Sequence, residues 1–331
     1  MSYWYDIGIR EKHVSGISRK LGFPEKPNPQ EWRETEQRSS RFAGLETWGT
    51  SEVLKALLGG QMQALNAVWA ALDDLEAAVD SAAQRLQTGE GRLVYVGAGT
   101  SGRLGVLDGI ELIPTFGWPD ERLLYGLAGG EAGLLHSQER AEDSAEVGRN
   151  FILEHDVGAN DVVLGLAASG TTPFTRAAIQ AARASGALTI ALANNPESPM
   201  LYDADHHILL RTGAEVLAGS TRLSAGTSQK AALNLFSTGL MVRLKKVYRG
   251  YMVDMQLTNT KLTQRAKDMV VALTGCSQER ATAALQESDN QIKLAVLIVF
   301  GATKIQATNV LAETRGDLGE SLQVLGLHQP D

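Results

Sequence analysis

Cysteine is almost missing from this chain of 331 residues: Cys276 is the only one. That excludes an intramolecular disulfide and any zinc site built from several cysteines. Its setting, TGCSQER, offers no activating partner in an adjacent motif, so Cys276 reads as a small residue near a helix start rather than a nucleophile. A basic surplus is missing too, with 31 Lys and Arg against 38 Asp and Glu and a formal charge of −7. Nucleic-acid binding usually needs such a surplus or a clustered basic stripe, so no nucleic-acid partner is expected. Long apolar runs are the third absence. The longest, LAVLIVFGA at 294–302, falls well short of the ~20 residues that cross a bilayer. No N-terminal stretch joins basic residues to a long apolar segment. The expectation is a cytoplasmic protein with no membrane partner. There is also no internal repeat and no low-complexity tract.

What is present falls into three parts. Residues 1–49 mix aromatic residues, charges and prolines without a period of 2 or 3.6, and read as an irregular arm that docks on its own chain or a neighbour. Residues 50–88 carry apolar residues at helical spacing, broken by Gly59-Gly60. Then short apolar runs alternate with amphipathic stretches: RLVYV at 92–96, RLLYGLA at 122–128, DVVLGLAA at 161–168, ALTIALA at 187–193 and HHILL at 206–210. Strands separated by crossover helices predict a parallel five-stranded sheet covered on both faces, the doubly wound α/β arrangement. One long helix is expected at about 225–248. The rest reads as short helices with Gly breaks, which divides the chain into an arm (1–49), an α/β domain (50–250) and a small all-α domain (251–331).

Ligands of such sheets bind beyond the carboxyl ends of the strands. After the first strand the loop is GAGTSGR, with Gly97, Gly99 and Gly102 matching the dinucleotide fingerprint G-x-G-x-x-G. After the third it is ASGTTPFTR, and before the long helix comes EVLAGSTRLSAGTSQK. All three set small residues beside hydroxyls: Thr100 and Ser101; Ser169, Thr171 and Thr172; Ser220, Thr221, Thr227 and Ser228. Glycine lets backbone approach an anion, amides at a helix start point toward it, and hydroxyls add short donors. Each loop taken singly is an ordinary helix cap; three in one sheet point to a phosphate ester. A dinucleotide stays open as the alternative, with Glu131 after the second strand to hold ribose.

Asp203, Asp205, His206 and His207 gather in YDADHH, but consecutive residues entering a strand point to opposite faces and cannot clasp one ion. No metal is expected. His136 reads as a surface or interface histidine. The Trp residues of the arm lack the interleaved lysines that a base-stacking platform needs.

The segments VYVGAGTSGRLGVLDGIELIPTFG (94–117), GLAGGEAGLLHSQERAEDS (126–144), NNPESP (194–199), GAEVLAGSTRLSAGTSQKAALNLFSTGLMVRLKKVY (213–248) and MVDMQLTNTKL (252–262) resemble the N-acetylmuramic acid 6-phosphate etherase family, and their loops resemble those of the SIS (sugar isomerase) domain. The resemblance runs from about residue 35 to the end. It implies an SIS-type three-layer αβα fold and a lyase that removes D-lactate from the C3 ether of a muramic acid 6-phosphate, without metal or redox cofactor. It implies catalytic roles for Glu111 and Glu142, although Glu139, Asp143 and Glu146 share the acidic face of ERAEDSAEVGR. Gly99, Thr100, Ser101, Gly102, Ser169, Gly170, Thr171, Thr172, Ser220, Thr221 and Lys230 are implied to hold the phosphosugar. Partial burial of Glu111 beside Leu112, Ile113 and Pro114 would raise its pKa toward neutrality, which suits a group that gives and takes a proton. A homodimer whose sites borrow residues from the neighbour is also implied. The match departs at Thr171, where the pattern ASGRTP has arginine, at Ser224, where lysine is common, and at Thr260, where glutamate is usual. Fewer cations would weaken recognition of a carboxylate. A non-catalytic sugar-phosphate binder and an aldose–ketose isomerase are therefore the alternatives.

Overall fold

The structure, a computed structural model, describes residues 33–136 and 139–327; most of the expected arm, and the C-terminal four residues of the all-α region, lie outside them. Residues 33–49 form three short 3-10 turns, at Glu34–Glu36, Ser40–Phe42 and Leu45–Thr47. Two helices follow, α1 (Thr50–Ala70) and α2 (Leu72–Leu86). The expected break at Gly59-Gly60 does not occur; the chain breaks at Ala71 instead. A Cβ on Gly60 would lie 2.9 Å from Ser224 Oγ, so the glycine serves close helix packing rather than helix termination.

The sheet comprises β1 (Leu93–Gly97), β2 (Leu123–Leu127), β3 (Val162–Leu166), β4 (Leu188–Ala193) and β5 (His206–Leu209), all parallel in the order β2-β1-β3-β4-β5. β1, β3 and β4 are buried along their whole length, which explains why they read as continuous apolar runs rather than alternating ones. Alternate residues nevertheless serve different faces. Leu93, Tyr95, Leu164, Leu166, Ile190 and Leu192 pack with α2, α3 (Gly99–Phe116) and α9 (Ser224–Arg243). Val94, Val96, Val163, Ala191 and Ala193 pack with α6 (Ala145–Glu154), α7 (Pro173–Ala184) and α8 (Pro199–Asp203). Two short helices, α4 (Ala132–Leu135) and α5 (Glu139–Glu142), precede α6. The result is the expected three-layer αβα arrangement.

The long helix α9 stops at Arg243, earlier than expected, and the chain turns back in a small hairpin of β6 (Val247–Tyr248) and β7 (Tyr251–Met252). Five helices complete the chain: α10 (Thr260–Thr274), α11 (Gln278–Glu287), α12 (Ile292–Val299), α13 (Lys304–Glu313) and α14 (Leu318–Val324). They enclose their own apolar cluster. Residues 292–298 of α12 are buried on every side, which accounts for the apolar run at 294–302. Its one charge, Lys293, donates to Asp254 at 2.9 Å. Cys276 is half-buried against the same cluster. No helix among the described residues is long and apolar enough to cross a membrane.

α1 packs through one face on α9 and leaves the other open. Leu54, Leu58, Met62, Leu65 and Trp69 recur at helical spacing and are 54–78% exposed. Leu107 and Ile110 of α3 and Leu235 and Val242 of α9 are exposed as well.

Candidate functional site: the loops at the carboxyl edge of the sheet

Strand order reverses between β1 and β3, so the loops after these two strands flank the crevice in which doubly wound sheets bind ligands. The order is of the flavodoxin type, not the 3-2-1-4-5-6 order of a dinucleotide-binding sheet. α3 begins directly at the first loop. A Cβ on Gly102 would stand 2.5 Å from Leu127 Cδ1 and 2.7 Å from the Gly97 carbonyl oxygen; only glycine lets the helix start lie this close to the strands. Ser101 is buried and Thr100 half-buried. Above this loop lies the carboxylate of Glu142, with Oε1 3.1 Å from where a Gly99 Cβ would be. A carboxylate at this position does not favour a pyrophosphate on the first loop.

The loop after β3 is held from behind. Gly170 adopts φ +63°, and a Cβ on it would meet Ser198 Oγ at 2.4 Å. Ser198 Oγ donates to the carbonyls of Asn195 (2.6 Å) and Ser169 (3.1 Å). Ser169 Oγ accepts from the Thr171 amide and from Thr171 Oγ1, each at 3.2 Å. Thr172 precedes Pro173 as the N-cap of α7 and makes no side-chain capping bond. α7 thus starts with its amides uncovered by a side chain and three hydroxyls, on Ser169, Thr171 and Thr172, around them.

The third loop differs. Glu215, 1% exposed, accepts from the amides of Ser224 (2.9 Å) and Ala225 (2.8 Å). The chain's own carboxylate therefore occupies the N-terminus of α9, which the hydroxyl pattern alone had offered to a phosphate. Ser220 and Thr221 lie half-buried in the turn before it. Thr100 Cγ2 is 3.5 Å from a Cβ built on Gly226, so the first and third loops meet. Ser224 is buried beneath Gly60, which explains structurally why a small residue stands at this departure from the family pattern.

The N-terminal segment closes the group, a contribution that no local pattern disclosed. Thr35, fully buried, donates its amide to Asn195 Oδ1 (3.1 Å) and accepts from Asn195 Nδ2 at its Oγ1 (3.0 Å). Its carbonyl accepts from the Gly219 amide at 2.8 Å. Two residues earlier, half-buried Arg33 donates from Nη2 to Thr171 Oγ1 at 2.7 Å.

Glu111 and Lys230 lie further along α3 and α9 from the loops. Along α3, Glu111 sits about 18 Å of helix rise beyond Gly99. It is exposed, not partly buried as expected, because it falls on the face of α3 that also shows Leu107 and Ile110 to solvent. With Leu104, Asp108, Lys230 and Asn234 it lines a cavity of about 250 Å³. Lys230 is exposed there and contacts Asn234 Oδ1. Beneath, Asp108 accepts from Tyr95 Oη (2.9 Å), Asn234 Nδ2 (2.9 Å) and Ser237 Oγ (3.1 Å). Burial pushes the Asp108 carboxyl up, against those hydrogen bonds and the Lys230 ammonium. Burial, together with Asp108, also drives the Tyr95 phenol well above its usual range.

The YDADHH acids are committed to structure: Asp203 accepts from Arg176 and Gln180, and Asp205 from Thr189 and Arg183. Among the described residues no group of three or more His, Cys, Asp or Glu side chains is placed to hold a metal. Glu131 and His136 are exposed beyond β2.

Residues 74–183 match the glucokinase regulatory protein N-terminal SIS domain, and residues 141–239 the SIS domain. The fold is similar to a phosphoheptose isomerase from Francisella tularensis (15% identity, 59% of this chain and 98% of that one, TM-score 0.43). It is also similar to the Vibrio vulnificus NanR protein complexed with ManNAc-6P (14%, 71% and 75%, TM-score 0.42). The N-acetylmuramic acid 6-phosphate etherase of Deinococcus radiodurans is 46% identical over 295 residues, 89% of this chain and 95% of that one. That of Rubrobacter xylanophilus is 43% identical over 289 residues, 86% and 96%. With such identity along nearly its whole length, on an SIS-type sheet, this chain belongs to the N-acetylmuramic acid 6-phosphate etherase family.

Proposed function

We propose that this protein cleaves the lactyl ether of N-acetylmuramic acid 6-phosphate, giving N-acetylglucosamine 6-phosphate and D-lactate. The observation that carries the reading is the carboxylate of Glu142 lying over the loop after β1, beside the crevice at which the hydroxyl-rich loop after β3 opens. The phosphate sits at the start of α7, where Ser169, Thr171, Thr172 and the uncapped amides supply donors. Ser101, Thr100, Ser220 and Thr221 line the sugar from the adjoining loops. With the sugar ring opened, the C2 proton is acidic; a carboxylate removes it, a carboxylic acid protonates the C3 oxygen as lactate departs, and water adds across the conjugated double bond. Positioned acid and base groups of this kind contribute ~10²–10⁴ each in rate.

Glu111 is the second carboxyl group of the reaction. It stands too far along α3 from Gly99 to share a site with Glu142 of its own chain. A second copy docked on the exposed apolar stripe of α1 would cover the neighbouring face of α3 and bring its Glu111 to the first copy's loops, giving a homodimer with two shared sites.

The test is direct. Purified protein incubated with N-acetylmuramic acid 6-phosphate is expected to release lactate, and Glu111→Gln and Glu142→Gln proteins to release it at least 10²-fold more slowly. Lactate release by wild type no faster than by both variants would remove the reading. The match to the glucokinase regulatory protein domain supports a second one, a non-catalytic binder. Tight binding of fructose 6-phosphate without turnover would favour it.

A further inference from the structure

The loop after β3 offers a phosphate monoester many donors and no formal positive charge of its own: ASGTTP contains neither lysine nor arginine. Two of the three helix starts at this edge face carboxylates, Glu142 beside Gly99 and Glu215 on the amides of Ser224 and Ala225. Among the described residues no carboxylate hydrogen-bonds the start of α7, and a cation reaches it from outside the loop. Arg33 Nη2 lies 2.7 Å from Thr171 Oγ1. Thr171 Oγ1 in turn donates to Ser169 Oγ, which also accepts from the Thr171 amide. With both acceptor positions of Ser169 Oγ filled, its own O–H is the valence left to donate. The chain Arg33 to Thr171 to Ser169 therefore runs in one direction, from a cation to the Ser169 hydroxyl of the loop, and each bond strengthens the next.

Arg33 is also held in register. Thr35, two residues on, is fixed to Asn195 and Gly219, and Glu34 between them is drawn off to Arg211.

We infer that Arg33 is a specificity-determining residue for the phosphate of the substrate: it supplies from the N-terminal segment the positive charge that the loop at 169–172 lacks. The inference rests on the proposed function only in taking a phosphosugar as the ligand. Thr171, the position at which the resembling pattern carries arginine, is the residue that Arg33 touches.

The experiment measures calorimetric affinities of N-acetylglucosamine 6-phosphate and of unphosphorylated N-acetylglucosamine. The proteins are wild type, Arg33→Ala, Arg33→Lys and the double variant Arg33→Ala with Thr171→Arg. A charge-assisted hydrogen bond of this kind corresponds to a loss of about 10- to 100-fold for the phosphosugar in Arg33→Ala. Arg33→Lys is expected to recover part of it, and the double variant most of it, with the weak affinity for the neutral sugar unmoved throughout. Equal phosphosugar affinity in wild type and Arg33→Ala would overturn the inference. So would an equal loss for both sugars, or a double variant that keeps the wild-type thermal midpoint yet stays weak. A wild type that binds the phosphosugar with the Arg33 dependence but releases no lactate overturns the proposed reaction and leaves the role of Arg33 standing.

Discussion

Asp161 shows how one buried carboxylate ties sequence-distant chain together. It accepts from the Arg92 amide (2.8 Å), from Arg92 Nε (3.1 Å) and Nη2 (2.8 Å), and from the Gly158 amide (2.9 Å). Burial alone would push its carboxyl up; the Arg92 guanidinium and the two amides outweigh burial and hold it below the usual aspartate range. A carboxyl depressed in the folded state stabilises the fold above the unfolded value of about 3.9, and that contribution disappears as pH falls through the folded value. Asp161→Asn is expected to cost about 3 kcal/mol at pH 7, since it leaves a partly buried guanidinium without its counter-charge. Denaturant midpoints at pH 7 and pH 3 check this: the gap between variant and wild type should shrink at the lower pH. At this scale the sequence was uneven. Ser169 and Thr171 were legible as candidates because small residues and hydroxyls cluster locally. Arg33 was not, since it meets Thr171 across 138 residues and nothing near residue 33 announces the partner.

Elements were more legible than residues, and where they misled, packing overrode propensity. All five strands lie where apolar runs bounded by polar residues placed them, because a strand buried on both faces needs that composition over its full length. Gly59-Gly60 misled because glycine lowers helix propensity by only ~1 kcal/mol, a cost that α1 meets through contact with Ser224 and Val216. The start of α9 misled in the opposite sense. Its hydroxyls suggested an anion site, but Glu215, nine residues before Ser224, returns to cap it. Glu215→Ala strands two buried amides and is expected to lower stability by about 2–4 kcal/mol. Equilibrium urea unfolding measures this as a lower midpoint with an unchanged slope.

For the whole molecule, the open face of α1 bears on the proposed sharing of a site between two copies. Five large apolar side chains exposed along one stripe form the kind of patch that marks an interface in soluble proteins. If the two glutamates of one site come from different copies, Glu111→Gln and Glu142→Gln chains are each inactive alone but complement one another. Co-expressed in equal amounts they should regain roughly a quarter of wild-type lactate release, since half of randomly paired symmetric dimers hold one intact site of two. Complete failure to complement, with mixed dimers verified by mass, would place both glutamates on one chain. The surface that a second copy would use could not be read from the sequence because an amphipathic helix has the same period whether its apolar side meets its own core or another subunit.

Thr35 leaves the ribosome long before its partners, since Asn195 follows 160 residues later and Gly219 later still. The segment carrying Thr35 is thus made before the partners that fix it, and its contacts can form only once Asn195 and Gly219 have emerged. Ligand competence in a newborn chain should therefore lag behind compaction of the sheet, with the delay set by loop closure over this long separation.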